Sequence, residues 1–284
     1  MSQLLHQLES PTILVFLVSS MLAMGLKLTP RAIVGPLRSG RLVLVALALN
    51  FVVAPGLAWV LTLVIPLDRG HATGLLLLGG AAGAPFLPKV VEVARGSLNI
   101  SAALMGLLTI GTIIFLPFAL PFLIPGLSAS PWAVARPLLL LMLGPLVLGM
   151  LIKSRAGVLA DRVTPVLDWL GTVSLMLLSV LMVVLNARAL LDVIGSGAIF
   201  TAIVYFIGIF YLGRSLGDTT PEAGNILALA TTARNFGAAL AVSSSFNDPN
   251  VNVMIIVGAI VCIVVSFMAA SRLRRFGVSS PAGV

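Results

Sequence analysis

Two basic side chains stand in apolar runs where lipid-spanning sequences rarely carry charge. Lys89 follows Gly79-Gly80-Ala81-Ala82-Gly83-Ala84-Pro85-Phe86-Leu87-Pro88, and Arg234 lies in Ala230-Thr231-Thr232-Ala233-Arg234-Asn235-Phe236-Gly237. A charge at mid-bilayer costs at least about 2.5 to 3.5 kcal/mol on insertion scales, so such a cation is read first as functional. The chemistry open to the pair is anion chemistry. A guanidinium offers paired donors to a carboxylate, and an ammonium offers a compact point charge. Either can also place fixed positive charge among backbone carbonyls in place of a metal cation. Pro85 and Pro88 each remove a backbone donor while the glycines let backbones approach, so the helix should break around them. Thr231, Thr232 and Asn235 cluster with Arg234 near mid-span, where irregular backbone survives only if buried in protein or lining a wet cavity. Half-helix N-termini at two such breaks add partial positive charge. Blander roles stand beside these. Lys89 can snorkel toward the interface near Arg95 or pair with Glu92 at i+3. Asn235 can cap the break, and Thr231 and Thr232 can bond back within their own helix.

The elements that must position these residues follow from composition. The chain has 284 residues, 59% apolar and only 9% charged, whereas soluble domains carry roughly 25% charged residues. The outer surface must therefore face lipid. Apolar runs bounded by charge, Pro or Gly fall at about 12 to 28, 42 to 66, 72 to 95, 98 to 124, 133 to 152, 164 to 187, 192 to 213, 220 to 245 and 251 to 271. This predicts an all-α polytopic membrane protein of about nine transmembrane helices, with Lys89 and Arg234 each in the third span of a group of four.

The formal charge of +8 does not mark a nucleic-acid partner, because the basic residues punctuate apolar runs and form no patch. Twelve of them, from Lys27 and Arg31 to Arg274 and Arg275, fall in one set of alternate loops and the tail; Arg69, Arg136 and Arg188 fall in the other. That asymmetry predicts an N-terminus outside and a C-terminus in the cytoplasm of a cell membrane. The single cysteine, Cys262, is read as packing, and His6 and His71 lie near span ends, so no metal site and no cofactor is expected. Those histidines and the peripheral acids also leave no paired groups for an intramembrane enzyme. Ser19, Ser20, Asn50, Thr109, Thr112, Ser174, Ser179 and Tyr205 are read mainly as helix-packing contacts, and Asp168 as solvated.

With the fifth span set aside, the rest predict an inverted repeat: residues 1–126 with a crossover helix at 72–95, residues 127–160 as the fifth span and connection, residues 161–271 with a crossover at 220–245, and a cytoplasmic tail at 272–284. Corresponding interrupted spans are the best sequence pointer to a transporter's central site. Met24-Gly25-Leu26-Lys27-Leu28-Thr29-Pro30, Leu78 to Gly83 running through Ala94-Arg95-Gly96-Ser97-Leu98-Asn99-Ile100-Ser101, and Thr231 to Gly237 resemble motifs of the bile acid:sodium symporter superfamily. The resemblance covers nearly the whole chain. It implies a core domain crossed by two unwound helices, a panel domain, and alternating-access transport of a small organic anion. Members with ten spans have one more at the start, which would leave the fifth span here without a repeat partner.

The departures are specific. Sodium-coupled members place Ser-Asn in the first crossover and Glu followed by Gln-Asn in the second. Here Leu87-Pro88, Ala230 and Arg234-Asn235 stand there, so the sodium ligands are mostly absent. The expectation is that Lys89 and Arg234 act as tethered cations in sodium-independent transport. Arg234 would bind the substrate carboxylate, and Lys89, Asn235, Thr231, Thr232, Pro85 and Pro88 would shape the site. An arsenite-type efflux carrier and a non-transporting structural subunit are the alternatives.

Overall fold

The computed structural model describes residues 2–28, 38–124, 131–185, 193, 195–217, 220–243, 245–246 and 248–276. Thr29, Pro30, Arg31 and Arg188 lie outside them, as do the tail beyond 276 and the side chains of His6, Ser179 and Arg275. Among the described residues all regular structure is helical.

The helices are α1 (Ser2–Lys27), α2 (Gly40–Val64), α3 (Arg69–Gly80), α4 (Leu87–Val93), α5 (Leu98–Leu123), α6 (Pro131–Arg155), α7 (Gly157–Leu185), α8 (Ala198–Leu216), α9 (Pro221–Thr232), α10 (Phe236–Ser243) and α11 (Pro249–Phe276). Their starts are written in side chains. Asp68 accepts from the His71 amide at 2.9 Å to open α3, Ser97 from Ile100 at 3.4 Å to open α5, and Thr220 from Ala223 at 3.2 Å to open α9. Two helices carry a wider π-turn, Leu49–Val53 in α2 and Leu139–Leu143 in α6, each followed closely by a proline, Pro55 or Pro145. A proline lacks the donor that the regular ladder needs, so the ladder slips locally to a longer repeat.

Among the described residues, six helical stretches are long and apolar enough to cross a membrane: α2, α5, α6, α8, α9 continuing through α10, and α11 up to Arg274, with a shorter apolar stretch at Pro11–Lys27. Outward-facing Phe122, Val64 and Leu44 are 86%, 72% and 68% exposed, which suits lipid and not water. Every residue in the most apolar window of the α9–α10 stretch is buried, against 22% for α6, so the Arg234 helix is central and α6 peripheral.

Packing divides the helices into two groups. α1 lies against α6 and α7. Its approach to α6 is backbone to backbone: a methyl on Gly25 would collide with the Leu146 carbonyl and lie 3.0 Å from the Gly149 Cα. The other group is built around α3 and α9–α10: α3 packs on α11 and α2, α9 on α8, and α4 on α5. Between the groups α10 touches α1 and α6.

Candidate functional site

The two interrupted helices cross at their breaks. α3 ends at Gly80 and its cap residue Ala81 turns extended, φ −91° and ψ 93°; α9 ends at Thr232 and Ala233 does the same, φ −71° and ψ 98°. The chain runs without helix from 81 to 86 before α4 and from 233 to 235 before α10. Pro85 and Pro88 account for the first break, with Pro88 in the first turn of α4 where its missing donor costs nothing. Gly83, at φ 79°, supplies a left-handed turn closed to most residues. The second break contains no proline. It is held open from outside.

Asn235 provides part of that hold. Its amide donates to the Ala81 carbonyl at 2.9 Å, its side-chain Nδ2 donates to the Gly83 carbonyl at 3.1 Å, and its Oδ1 accepts from the Ala238 amide at 3.0 Å, capping α10. One residue thus joins the two breaks and starts the second half-helix. Thr109 donates to the Gly83 carbonyl at 2.9 Å and Thr112 to the Ala82 carbonyl at 3.0 Å. These threonines, read in sequence as packing contacts, complete the first break.

Arg234 provides the rest. It is fully buried. Its Nε donates to the Leu78 carbonyl at 2.9 Å, and one terminal nitrogen donates to Asn50 Oδ1 at 2.8 Å and the Thr231 carbonyl at 3.3 Å. The other terminal nitrogen donates to the Gly79 carbonyl. Leu78 and Gly79 belong to the last turn of α3 and Thr231 to the last turn of α9, where carbonyls lack helical partners and the helix dipole is negative. The guanidinium therefore sits where two negative helix ends converge. Asn50, which also donates to the Ala46 carbonyl at 2.9 Å, comes from the π-turn of α2. Thr231 and Thr232 bond back to Leu227 and Ala228, both at 2.7 Å, and offer no hydroxyl to the crossing.

This geometry corrects two sequence expectations. Lys89 is no buried counterpart of Arg234: it lies eight residues past Ala81, beyond the break, with its side chain 68% exposed and its ammonium 2.8 Å from Glu92. The position equivalent to Arg234, one past the extended cap, is Ala82. Nor does Arg234 present paired donors to a substrate, since backbone and Asn50 engage all three of its nitrogens.

A cavity of about 480 Å³ lies on the other face of the crossing, between α1 and α7 on one side and α4, α5 and α10 on the other. Pro85, Phe86, Pro88, Lys89 and Glu92 line it from the first crossover, and Phe236 and Gly237 from the second; Arg234 does not. Phe86, the last residue of the first break, and Phe236, the first after the second, stack with centroids 5.3 Å apart at 22°. From α1 and α7 come Phe16, Ser20, Met24, Lys27, Asp168 and Thr172, with the Lys27 ammonium 2.7 Å from Asp168. The surface is aromatic and aliphatic with two hydroxyls and two exposed ion pairs. Of the residues picked out from sequence for the site, Pro85, Pro88 and Lys89 line the cavity, as do Ser20 and Asp168, read in sequence as packing and as solvated; Arg234, Asn235, Thr231 and Thr232 do not line it. Phe86, Phe236 and Thr172 were not singled out, though both phenylalanines lie beside motifs that were. Among the described residues no three His, Cys, Asp or Glu side chains gather as for a metal.

The profile of the sodium bile acid symporter family matches residues 13–193, which covers α1 to α7 and with them the first crossover. The chain belongs to that family. Family membership and the six long apolar helices make it a multi-pass membrane protein of a transporter family. No curated protein matched the chain. The Ala81, Ala82 and Gly83 carbonyls already accept from protein donors, and a guanidinium fills the space between the half-helices. No carboxylate takes part in these contacts.

Proposed function

We propose that the chain is a secondary active transporter that moves a small organic anion across the cell membrane by alternating access, without sodium coupling. The carrying observation is the cavity between the two helix groups, with the Lys89 ammonium and the Phe86–Phe236 stack on one wall. The aromatic pair suits the apolar body of an organic acid, and Lys89, by leaving Glu92, can pair with its carboxylate. An exposed ion pair is worth only about 0 to 1 kcal/mol, so the exchange is inexpensive. α1, α6 and α7 would form the panel, and the helices around the crossovers the core that moves against it. Arg234 is the tethered cation of this reading; Lys89 is a substrate ligand only.

The proposal includes about nine spans, an N-terminus outside and an inverted repeat. A matched pair of contacts supports the repeat. The residue after each extended cap donates its amide to a side chain on the following long helix: Ala82 to Thr112 Oγ1 at 2.8 Å, and Arg234 to Cys262 Sγ at 3.4 Å. Cys262 also donates to the Thr232 carbonyl at 3.3 Å. The single thiol of the chain is thereby used in the second break and does not line the cavity, so it lends no support to arsenite efflux.

Uptake of labelled mono- and dicarboxylates into proteoliposomes, with sodium or with choline, tests this. Uptake should be equal in the two salts, and Lys89→Gln should raise KM about tenfold or more while the protein stays monodisperse. Uptake that collapses without sodium overturns the coupling, and an unchanged KM removes Lys89 from the site.

A further inference from the structure

A second cavity, of about 680 Å³, is a groove on the outer face between α8 and α11. Its two walls share a spacing. Ile203, Ile207, Phe210, Tyr211 and Arg214 line it from α8; from α11, Val261, Val265, Met268, Ala269 and Arg272 recur at the same spacing, and Ile260, Val264 and Leu273 widen that wall. Both of these series step i, i+4, i+7, i+8, i+11 along one helical face, and each carries an arginine at its last step. The helices run the same way, because α9–α10 makes one pass between them: Gly213 of α8 faces Ala228 and Thr231, while Gly217 faces Leu227. Both guanidinium groups therefore lie at one end of an otherwise apolar trough. Eleven residues of helix span about 16 Å, half of the roughly 30 Å hydrocarbon core. The trough is one leaflet deep.

The geometry points to a binding site for an anionic phospholipid, its phosphodiester between Arg214 and Arg272 and an acyl chain along the groove. Three observations choose this occupant over ordinary bilayer lipid. Charge complementarity is one-sided: no acidic residue lines the groove, and among the described residues neither arginine has a carboxylate at ion-pair distance. Arg214 is steadied by one hydrogen bond to Asn225 Oδ1 on α9, which aims a fork suited to phosphate. Tyr211, 58% exposed one turn before Arg214, has the amphipathic ring that favours the headgroup boundary. The wall opposite lipid also matters for transport, because α8 packs on α9 and α11 on α3, α4 and α10. A lipid held there touches both helices that flank the crossover.

Native mass spectrometry of the full chain, purified in mild detergent and exposed to equal amounts of phosphatidylglycerol and phosphatidylcholine, tests the site. The wild type should retain phosphatidylglycerol about tenfold or more over phosphatidylcholine. Arg214→Gln with Arg272→Gln should abolish that preference. Val264→Trp fills the groove, leaves both arginines, and should displace the lipid as well, which keeps the test decisive if the double variant misfolds. Equal retention of the two lipids overturns the proposal, as does an unchanged preference in the variants. Complete displacement of phosphatidylglycerol by inorganic phosphate would make it a phosphate site, and a dimer lost on Val264→Trp would make the groove a protein interface; either result overturns the lipid reading.

Discussion

Arg234→Ala tests the crossing most directly. The substitution strips donors from the Leu78, Gly79 and Thr231 carbonyls and from Asn50 Oδ1, all beside a fully buried position. Each buried acceptor left without a partner costs about 1 to 3 kcal/mol. The Leu78 carbonyl keeps the Ala81 amide at 3.3 Å; even at the lower end, the other three acceptors amount to about 3 kcal/mol, a large share of the roughly 5 to 15 kcal/mol that holds a protein folded. At about 2 to 4 °C per kcal/mol for a chain of this size, the melting temperature in detergent should fall by about 6 to 12 °C. The variant also opens a pocket between two negative helix ends. Sodium should then stabilise Arg234→Ala, by about 2.7 kcal/mol at a hundredfold excess over its Kd, while the wild type melts at the same temperature in sodium and choline chloride of equal ionic strength. The assay is thermal unfolding followed by tryptophan fluorescence in the two salts. A variant melting within about 2 °C of wild type would refute the energetic role of the network. A variant that is destabilised yet indifferent to sodium would refute the tethered-cation reading and leave the network standing.

Gly83→Ala should lower the melting temperature strongly, because φ 79° disfavours a side chain and the new methyl meets the Thr109 backbone amide; Gly56→Ala, where nothing lies within 4 Å, should be neutral or stabilise α2 by up to about 1 kcal/mol. Lys27→Gln breaks the 2.7 Å pair with Asp168, whose side chains are 51% and 45% exposed, and should cost less than about 1 kcal/mol by denaturant or thermal titration; a larger loss would mean that the pair joins α1 to α7 energetically.

Much of the scaffold is legible in the residues. Apolar runs fix where helices must be, since a backbone in lipid has to satisfy its own hydrogen bonds, and the boundaries at 40–64, 98–123 and 249–276 lie close to those read from charge and proline. Ends outside lipid were harder: α7 begins at Gly157, before the apolar run, because a helix continues as a solvated ladder through Asp161 and Arg162 where hydropathy has no signal. The first break is legible too, because proline and glycine act locally. The second is not a local event. Ala233-Arg234-Asn235 has no breaker, and it opens only because Ala81, Gly79 and Asn50 from distant helices accept its donors.

The roles of the two cations show the same division. The sequence by itself determined that a permanent charge sits deep in an apolar span, since no nearby interface can solvate Arg234. It treated Lys89 alike because a one-dimensional run does not show that the helix has already broken before it. Tertiary structure decided which cation is enclosed. A folded crossover turns the Lys89 segment toward a cavity and a carboxylate, while the ends of α3 and α9, remote from each other in sequence, converge on the guanidinium. Charge placement is a property of composition; the partners that make a buried charge tolerable come from elements remote in sequence, and only packing brings them together.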